Sequence, residues 1–321
     1  MGSVKDLEII KEPTEDEEGV GVFEFSDRYS VFDYGEMPDK IEGKGEALCL
    51  MGAYNFRKLE EQGMKTHLIE LEEKNRMKVK VVNVITKGEP EEFKNMMVPL
   101  EVIYRNYLGE GSSVFRRLDK GKIEPSDLGL DDYPEVNTKL DPPIIDFSTK
   151  YEKFDRYFKN IDEVKDHTGF DDEKIDLIKE KAIKVNDFIN KRAEELGWIH
   201  LDGKMEVALD KNGELMLADV LGTLDEDRFE YDGFKLSKQM LRNYYRGGEW
   251  HEKMEEAKEK DLPKEEWPKP PELPKRLVDF VSNMYKAAAN SWTGKKHFDV
   301  KELEQLIEED YEELKEDGLV D

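Results

Sequence analysis

One stretch of the chain combines carboxylates and an ammonium group in a way that could hold a cation. Two runs of alternating apolar residues, 199–209 and 214–221, flank the turn sequence Asp210-Lys-Asn-Gly213. Such a pattern predicts a β-hairpin. If Leu209 lies opposite Glu214, then Lys204 lies opposite Asp219. Because side chains alternate between the faces of a strand, one face then carries Asp202, Lys204, Glu206 and Asp219.

The chemistry of that face favours a divalent cation. Neighbouring carboxylates repel one another unless a cation lies between them. Mg²⁺ carrying nucleotide phosphates would fit, because Mg²⁺ prefers oxygen ligands. The alternative is a solvated hairpin face whose charges bind nothing. A shift of one residue in register would move Asp219 to the other face.

The same residues resemble a known family. Segment 201–206, followed by Ala218-Asp219 and by Asp225-x-x-Arg228, resembles the D-x-K-x-E-F … D-E … D-x-x-R segment of phosphoribosylaminoimidazole-succinocarboxamide synthase, the SAICAR synthetase of purine biosynthesis. Val220 stands where the family usually has a second acid after Asp219. Further segments between Gly2 and Tyr245 resemble other family motifs in the same order.

Three of these segments lie near the N-terminus. Gly2-Ser-Val-Lys-Asp6 resembles a hairpin that covers ATP, with Ser3 replacing the first lysine, which leaves Lys5 as the phosphate ligand. Ser26-Asp-Arg-Tyr-Ser-Val-Phe-Asp33 nearly reproduces the family's T-D-R-x-S-A-F-D, and Ile41-Glu-Gly-Lys-Gly45 resembles I-P-x-K-G. The resemblance implies that substrate contacts in this region include Ser30, Asp33 and Lys44.

The middle of the chain carries the remaining segments. Segment 97–106 matches the family strand that links two lobes around the adenine, which implies adenine contacts from Met97 and Val98. Segment 105–112 resembles R-N-x-x-x-G-S with one residue inserted, and segment 141–150 resembles x-P-x-x-[DT]-x-S-T-K. In the family these residues hold the carboxylated imidazole ribotide or ATP, which here implies Arg105, Ser112 and Lys150. Phe154 replaces a family histidine.

The resemblance implies a bilobal α+β fold with ATP in the cleft. We expect residues 1–100 to form a small, mainly β, ATP-binding lobe. Residues 101–321 would form a larger α/β lobe with the substrate and metal sites, including a charged C-terminal extension at 247–321.

The implied reaction joins L-aspartate to carboxyaminoimidazole ribotide, which is 5-amino-1-(5-phospho-D-ribosyl)imidazole-4-carboxylate. ATP is converted to ADP and phosphate, and an acyl phosphate forms on the way. The resemblance assigns Glu206 and Asp219 to Mg²⁺, and Lys5, Lys150 and Lys204 to ATP. It assigns Arg228, with Arg105 and Ser112, to the ribotide or its carboxylate, and it assigns Asp202 to orienting Lys204. The catalytic residues would be Lys204, Asp202 and Arg228.

Composition limits the other partners. The 321 residues carry a formal net charge of −26, which argues against binding to nucleic acid or to anionic membranes. A single cysteine, Cys49, excludes an internal disulfide, and no run of 18 apolar residues is present, so we expect a cytoplasmic protein. The sequence leaves open whether subunits form a homo-oligomer.

Two other functions remain compatible with the sequence. A kinase-like phosphotransferase would use the same cleft on another small anionic acceptor, and it would turn over ATP without aspartate. A non-catalytic acidic protein would bind Mg²⁺ or Ca²⁺ through the hairpin. The second alternative predicts no nucleotide binding and leaves segments 27–33 and 105–112 unexplained.

Overall fold

Two antiparallel sheets organise the chain, for which the computed structural model describes residues 4–32, 34–86, 92–152 and 156–320. The first sheet contains four strands: β1 (Lys5–Lys11), β2 (Gly19–Phe25), β3 (Leu68–Glu73) and β4 (Arg76–Val81). Their order is β1-β2-β4-β3. The mixture of two sheets with helices confirms the predicted α+β class.

The second sheet contains the strand predicted over residues 199–209. It consists of β5 (Met96–Met97), β6 (Leu100–Leu108), β7 (Thr138–Thr149), β8 (Ile199–Leu209), β9 (Leu215–Ala218), β10 (Arg228–Tyr231) and β11 (Phe234–Leu236). Its main path is β11-β10-β8-β6-β7, and both β5 and β9 also pair with β8. Four strands therefore hydrogen-bond to β8. The predicted lobe boundary near residue 100 stays a prediction.

The helices surround these sheets. Among the described residues they are α1 (Lys44–Glu61), α2 (Ser113–Asp119), α3 (Ile161–Thr168), α4 (Asp172–Glu195), α5 (Gln239–Tyr245), α6 (Glu249–Glu259), α7 (Lys275–Thr293), α8 (Leu303–Gln305) and α9 (Glu312–Glu316). A π-helical turn at 306–311 joins the last two. In this part of the chain we find no helix with the length and apolar character needed to cross a bilayer.

The two faces of β8 have opposite character. Met205, Val207 and Leu209 are fully buried in the main core, and α4 packs against the strand. Lys204 and Glu206, which alternate with these apolar residues, face the other way. This confirms the alternation predicted for the strand, because burying one face leaves the polar residues on the other.

The predicted register of the hairpin is wrong by one residue. Leu209 pairs with Leu215 rather than Glu214, and Glu206 pairs with Ala218. The turn is longer because the Asp210 carboxylate accepts hydrogen bonds from the backbone N–H groups of residues 212 and 214, each at 2.9 Å. Asp219 stands just beyond β9 in a left-handed conformation (φ 59°), so strand alternation does not fix its side chain.

A bulge interrupts the alternation of β8 near its start. Strict alternation would place His200 on the same side as Asp202. In the structure Arg228 pairs with Asp202 while the next residue, Phe229, pairs with His200, so one extra residue of β8 is inserted at Leu201. His200 consequently lies on the core side, where its ring bonds Asp227 and Asn190 at 3.0 and 2.7 Å.

The charged C-terminal segment contributes helices to the main core. Within it, α6 buries Trp250 and Met254. Helix α7 packs against α1. The Trp292 indole N–H donates to the Asn55 side-chain oxygen at 2.7 Å, and the Tyr285 hydroxyl donates to Asp225 at 2.7 Å.

Asn55 provides a test of this packing. Its side-chain NH₂ donates to the carbonyls of Leu221 and Gly222 at 2.9 and 3.0 Å, and its oxygen accepts the Trp292 N–H. Asn55→Leu leaves these buried groups without partners, so we expect the free energy of unfolding to fall by about 3 kcal/mol. Urea denaturation measures this change.

The matched control is Gln305→Ala, which removes an exposed side-chain amide from a helix. It should change the free energy of unfolding by less than about 0.5 kcal/mol. Equal effects of the two substitutions would show that Asn55 does not tie α1 to the loop and to α7.

Candidate active site

An apolar slot lies between the two sheets. Its cavity has a volume of about 140 Å³ and is lined by side chains of β1, β2 and β4 on one side and of β8 and β9 on the other. The apolar lining includes Leu7, Phe23, Val79, Val81, Met97, Ala208 and Met216. Glu206 and Asp219 belong to its polar lining. A flat heterocycle fits such a lining.

The two predicted adenine contacts differ in position. Met97 lines the slot. Val98 is fully buried, and its backbone N–H donates to the Val207 carbonyl at 3.0 Å. The backbone N–H of Met97 is also used, because it donates to the Asn83 carbonyl at 2.8 Å. In this structure Met97 is therefore the better placed of the two for an adenine contact.

Glu206 and Asp219 come together despite the altered register. The Glu206 carboxylate is buried and that of Asp219 is partly exposed. Burial together with the charge of Asp219 raises the pKa of Glu206 well above its usual range. Burial acts on Asp219 in the same direction, but the Lys5 ammonium group more than offsets it and holds the pKa of Asp219 low. Lys5 lies 2.6 Å from Asp219, and Lys150 forms an ion pair with Glu206.

These two carboxylates fit a Mg²⁺ ion. The mutual repulsion that raises the pKa of Glu206 is what a bound cation would relieve. Within the described parts of the chain we find no group of three acidic, histidine or cysteine side chains arranged to hold a metal. Two protein carboxylates suffice, because Mg²⁺ commonly keeps waters and takes its remaining oxygens from substrate phosphates.

Lys204 is held by glutamates rather than by Asp202. Its ammonium group lies 2.7 Å from Glu101 and 3.5 Å from Glu226. Burial alone would lower the pKa of Lys204, but the charges of Glu226 and Glu101 more than offset it and raise that pKa. The prediction that Asp202 orients Lys204 is thus wrong. The ammonium group therefore stays charged, within electrostatic reach of Glu206.

Asp202 instead joins two arginines. The Arg228 guanidinium forms a two-pronged contact with the Asp202 carboxylate, including an Nε donation at 2.6 Å. Arg105 lies 3.5 Å from the same carboxylate and 3.5 Å from Asp146, which also pairs with Arg117. Arg105 is 3% exposed and its Nε finds no hydrogen-bond partner. A buried guanidinium with an unused donor is a suitable anion ligand.

The other predicted substrate contacts differ in their surroundings. The Ser112 hydroxyl caps helix α2 by accepting from the Val114 N–H at 3.4 Å, and Ser112 lies close in sequence to Ser113, which bonds Arg105. Lys44 is fully buried and lies 2.7 Å from Asp225. That burial leaves no exposed ammonium for a ligand. Ser30 is half-buried, and Asp33 lies outside the described residues.

Several charged residues of the site were not assigned from the sequence. They are Glu101, Arg117, Asp146 and Glu226. Glu101 lies two residues before Ile103, which pairs with Lys204 across the β6–β8 ladder. Strand pairing could have found it only if the order of the strands had been known. Glu226 gives a local signal, because it is the central member of three consecutive acids.

Known proteins resemble this chain in sequence and in fold. A model of the SAICAR synthetase family matches residues 10–258. The chain belongs to the SAICAR synthetase family. A relative from Archaeoglobus fulgidus, described as a putative phosphoribosylaminoimidazole-succinocarboxamide synthase, is 46% identical over 96% of this chain and 98% of its own length.

Two further comparisons agree with the family. The phosphoribosylaminoimidazole-succinocarboxamide synthase of Thermoplasma acidophilum is 38% identical over 86% of this chain and 93% of its own length. Among solved structures, a SAICAR synthetase in complex with ADP superposes with a TM-score of 0.64 at 25% identity, covering 93% of this chain and 98% of that one. The predicted family and fold class are confirmed, while the roles of individual residues stay predictions.

Asp202 offers a test of the charge balance in this SAICAR synthetase. Burial alone would raise the pKa of Asp202, but Arg228 and Arg105 more than offset it and hold that pKa below its usual range. The stabilisation is therefore complete at neutral pH and is lost as the pH falls through the lowered pKa. We expect Asp202→Asn to reduce the free energy of unfolding by about 3 kcal/mol at neutral pH.

Urea denaturation as a function of pH checks this expectation. The difference between the wild type and Asp202→Asn should shrink as the pH falls below about 4, because the carboxyl of the unfolded chain then takes up a proton before that of the folded protein does. Asp187→Asn, at an exposed position of α4, is the control and should have little effect at any pH. A difference that is constant with pH would contradict the assigned ion pairs.

Proposed function

We propose that the chain is a phosphoribosylaminoimidazole-succinocarboxamide synthase. It joins L-aspartate to the carboxylate of carboxyaminoimidazole ribotide and converts ATP to ADP and phosphate. The observation that carries the proposal is the order of groups on one face of β8. The apolar slot is followed by Glu206, with Asp219 from the end of β9 beside it, then by Lys204, and then by Asp202 with its arginines. This order suits a nucleotide whose phosphate end meets an anionic acceptor.

The nucleotide occupies the first half of this face. Adenine enters the slot beside Met97, and the phosphates extend towards Glu206 and Asp219. Mg²⁺ at these carboxylates would neutralise charge on the phosphates during transfer. Lys5 and Lys150, now paired with Asp219 and Glu206, are placed to turn to phosphate oxygens when the cation takes over the carboxylates.

The acceptor occupies the second half. Arg228 and Arg105 provide guanidinium groups that match phosphate or carboxylate oxygens. Asp202 holds both of them in place, so its role is to position the arginines. Lys204 lies between the two halves, where it can contact both the γ-phosphate and the acceptor carboxylate. Ser112 remains a proposed contact at the start of α2.

The chemistry follows from these positions. A carboxylate is a poor acyl donor because oxide is a poor leaving group. The ribotide carboxylate therefore attacks the γ-phosphorus of ATP and gives an acyl phosphate and ADP. The amine of L-aspartate then attacks the acyl carbon, and phosphate leaves. The protein contributes positioning and charge neutralisation for the first step.

A single assay tests the proposal. The protein is supplied with ATP, Mg²⁺ and the carboxylated ribotide, with and without L-aspartate, and both ADP and the succinocarboxamide are followed. We expect the succinocarboxamide to appear only with aspartate, in equal amount to ADP. ADP formed at the same rate without aspartate, and with no succinocarboxamide, would favour a phosphotransferase instead.

The metal assignment makes a separate prediction. Glu206→Gln and Asp219→Asn each remove one carboxylate from the cation, so turnover at saturating substrates should fall about 100-fold, equivalent to about 3 kcal/mol. Folding should persist, because each change relieves the repulsion between the two carboxylates and the lysine that loses its partner still has the other carboxylate nearby. Glu194→Gln, at an exposed position of α4, is the control. Wild-type turnover in both site variants would remove the metal assignment.

The cofactor, the substrates and the location are part of the same proposal. We retain Mg²⁺ as the cofactor, carboxyaminoimidazole ribotide and L-aspartate as the small-molecule partners, and a cytoplasmic location. The proposal leaves open whether the subunits form a homo-oligomer.

A further inference from the structure

Three consecutive acids precede Arg228. The side chains of the first and the third contact buried residues of the protein. Asp225 lies 2.7 Å from the buried Lys44 and accepts the Tyr285 hydroxyl at 2.7 Å. Asp227 accepts from the Tyr104 hydroxyl at 2.9 Å and from the Gly222 N–H at 2.8 Å. Both carboxylates therefore have partners within the protein. These contacts fix the backbone on either side of Glu226.

Glu226 faces the opposite way, into the cleft. Its carboxylate lies 3.5 Å from the Lys204 ammonium group, and its side chain is 15% exposed. It also lies within electrostatic reach of Lys5: burial alone would lower the pKa of Lys5, and the charges of Asp219 and Glu226 more than offset it. Glu226 is therefore presented from a rigid loop between the nucleotide half and the acceptor half of the site.

The other carboxylates of the cleft are already occupied. Asp202 and Asp146 pair with arginines. Both oxygens of Glu101 are used, one by Lys204 at 2.7 Å and the other by the Ser148 hydroxyl at 3.2 Å.

Glu206 and Asp219 are assigned to the cation. Of the cleft carboxylates in the described residues, Glu226 lies farthest from its nearest cationic group, at 3.5 Å. Lys204 would keep its contact with Glu101 if Glu226 turned to a ligand.

We propose that Glu226 binds the ammonium group of L-aspartate and takes a proton from it. This inference rests on the proposed function, whose second substrate arrives as an ammonium ion that has no lone pair for attack. Transfer of one proton to the Glu226 carboxylate gives the neutral amine. The amine forms the C–N bond as the C–O bond to phosphate breaks, and the departing phosphate takes up the second proton. Glu226 then returns its proton to water.

The test compares two nitrogen nucleophiles in Glu226→Gln. L-Aspartate needs an anionic partner for its ammonium group, whereas hydroxylamine is neutral near neutral pH and traps an acyl phosphate as the hydroxamate without a base. For Glu226→Gln we expect kcat/KM for L-aspartate to fall about 100-fold, which is within the usual contribution of a general base. Hydroxamate formation and the KM values for ATP and ribotide should change less than about threefold, because Glu101 still holds Lys204.

Two further variants complete the design. Glu226→Asp keeps the carboxylate one methylene shorter and should recover part of the activity with aspartate. Asp232→Asn removes an equal charge from the exposed turn after β10, at a left-handed position that asparagine tolerates, and should behave as the wild type. The hydroxamate assay also reports whether each variant is folded.

The outcomes separate the two proposals. If wild-type protein forms neither succinocarboxamide nor hydroxamate, the proposed function fails. If the wild type is active but Glu226→Gln loses both nucleophiles equally, Glu226 acts through Lys204 and the inference is overturned. An unchanged kcat/KM for L-aspartate in Glu226→Gln would overturn it as well.

Discussion

Strand β8 carries three charged side chains on one face, two of which are the buried carboxylates of Asp202 and Glu206, and the site is built around the need to neutralise them. An unpaired charge in the interior costs several kcal/mol. Asp202 is balanced by Arg228 and Arg105, Lys204 by glutamates on β6 and on the loop before β10, and Glu206 by Lys150 at the end of β7. These partners come from elements far apart in sequence, so the charges of β8 bring the parts of the site together.

A second layer of polar contacts supports this face from the core side. Asp227 lies against β8 where Gly203 leaves room for it: a Cβ atom there would stand 2.0 Å from the carboxylate. The same carboxylate bonds Tyr104 and His200, and the Gly222 N–H closes the loop. Because α7 reaches this loop through Tyr285, the C-terminal part of the chain helps to fix Arg228 and Glu226, although it contributes no residue to the proposed ligands.

The sequence predicted the strand and its charged face because alternation is a local property. It did not predict the register, since the Asp210 side chain lengthens the turn to include Glu214. Nor did it find the bulge at Leu201 that turns His200 inward. Motif similarity placed Glu206, Asp219, Arg105 and Arg228 near one another, but it could not distinguish an ammonium facing the cleft from the buried Lys44, because burial depends on packing against α7 and the loop at 225.

The sequence also could not show which charged residues pair with one another. The family resemblance assigned Asp202 to orienting Lys204, which lies two residues away on the same strand. The structure pairs each with a residue on a neighbouring strand or loop, since β10 and β6 approach β8 from opposite sides. Charge pairing across a sheet depends on strand order, which no local pattern gives.

The most direct test of this account is a crystal structure of the protein with Mg²⁺, a non-hydrolysable ATP analogue and the carboxylated ribotide. The account predicts one Mg²⁺ bound by Glu206 and Asp219 at about 2.1 Å, with Lys5 and Lys150 moved to phosphate oxygens and the ribotide held by Arg105 and Arg228. A metal bound elsewhere, or a ribotide remote from both arginines, would contradict it.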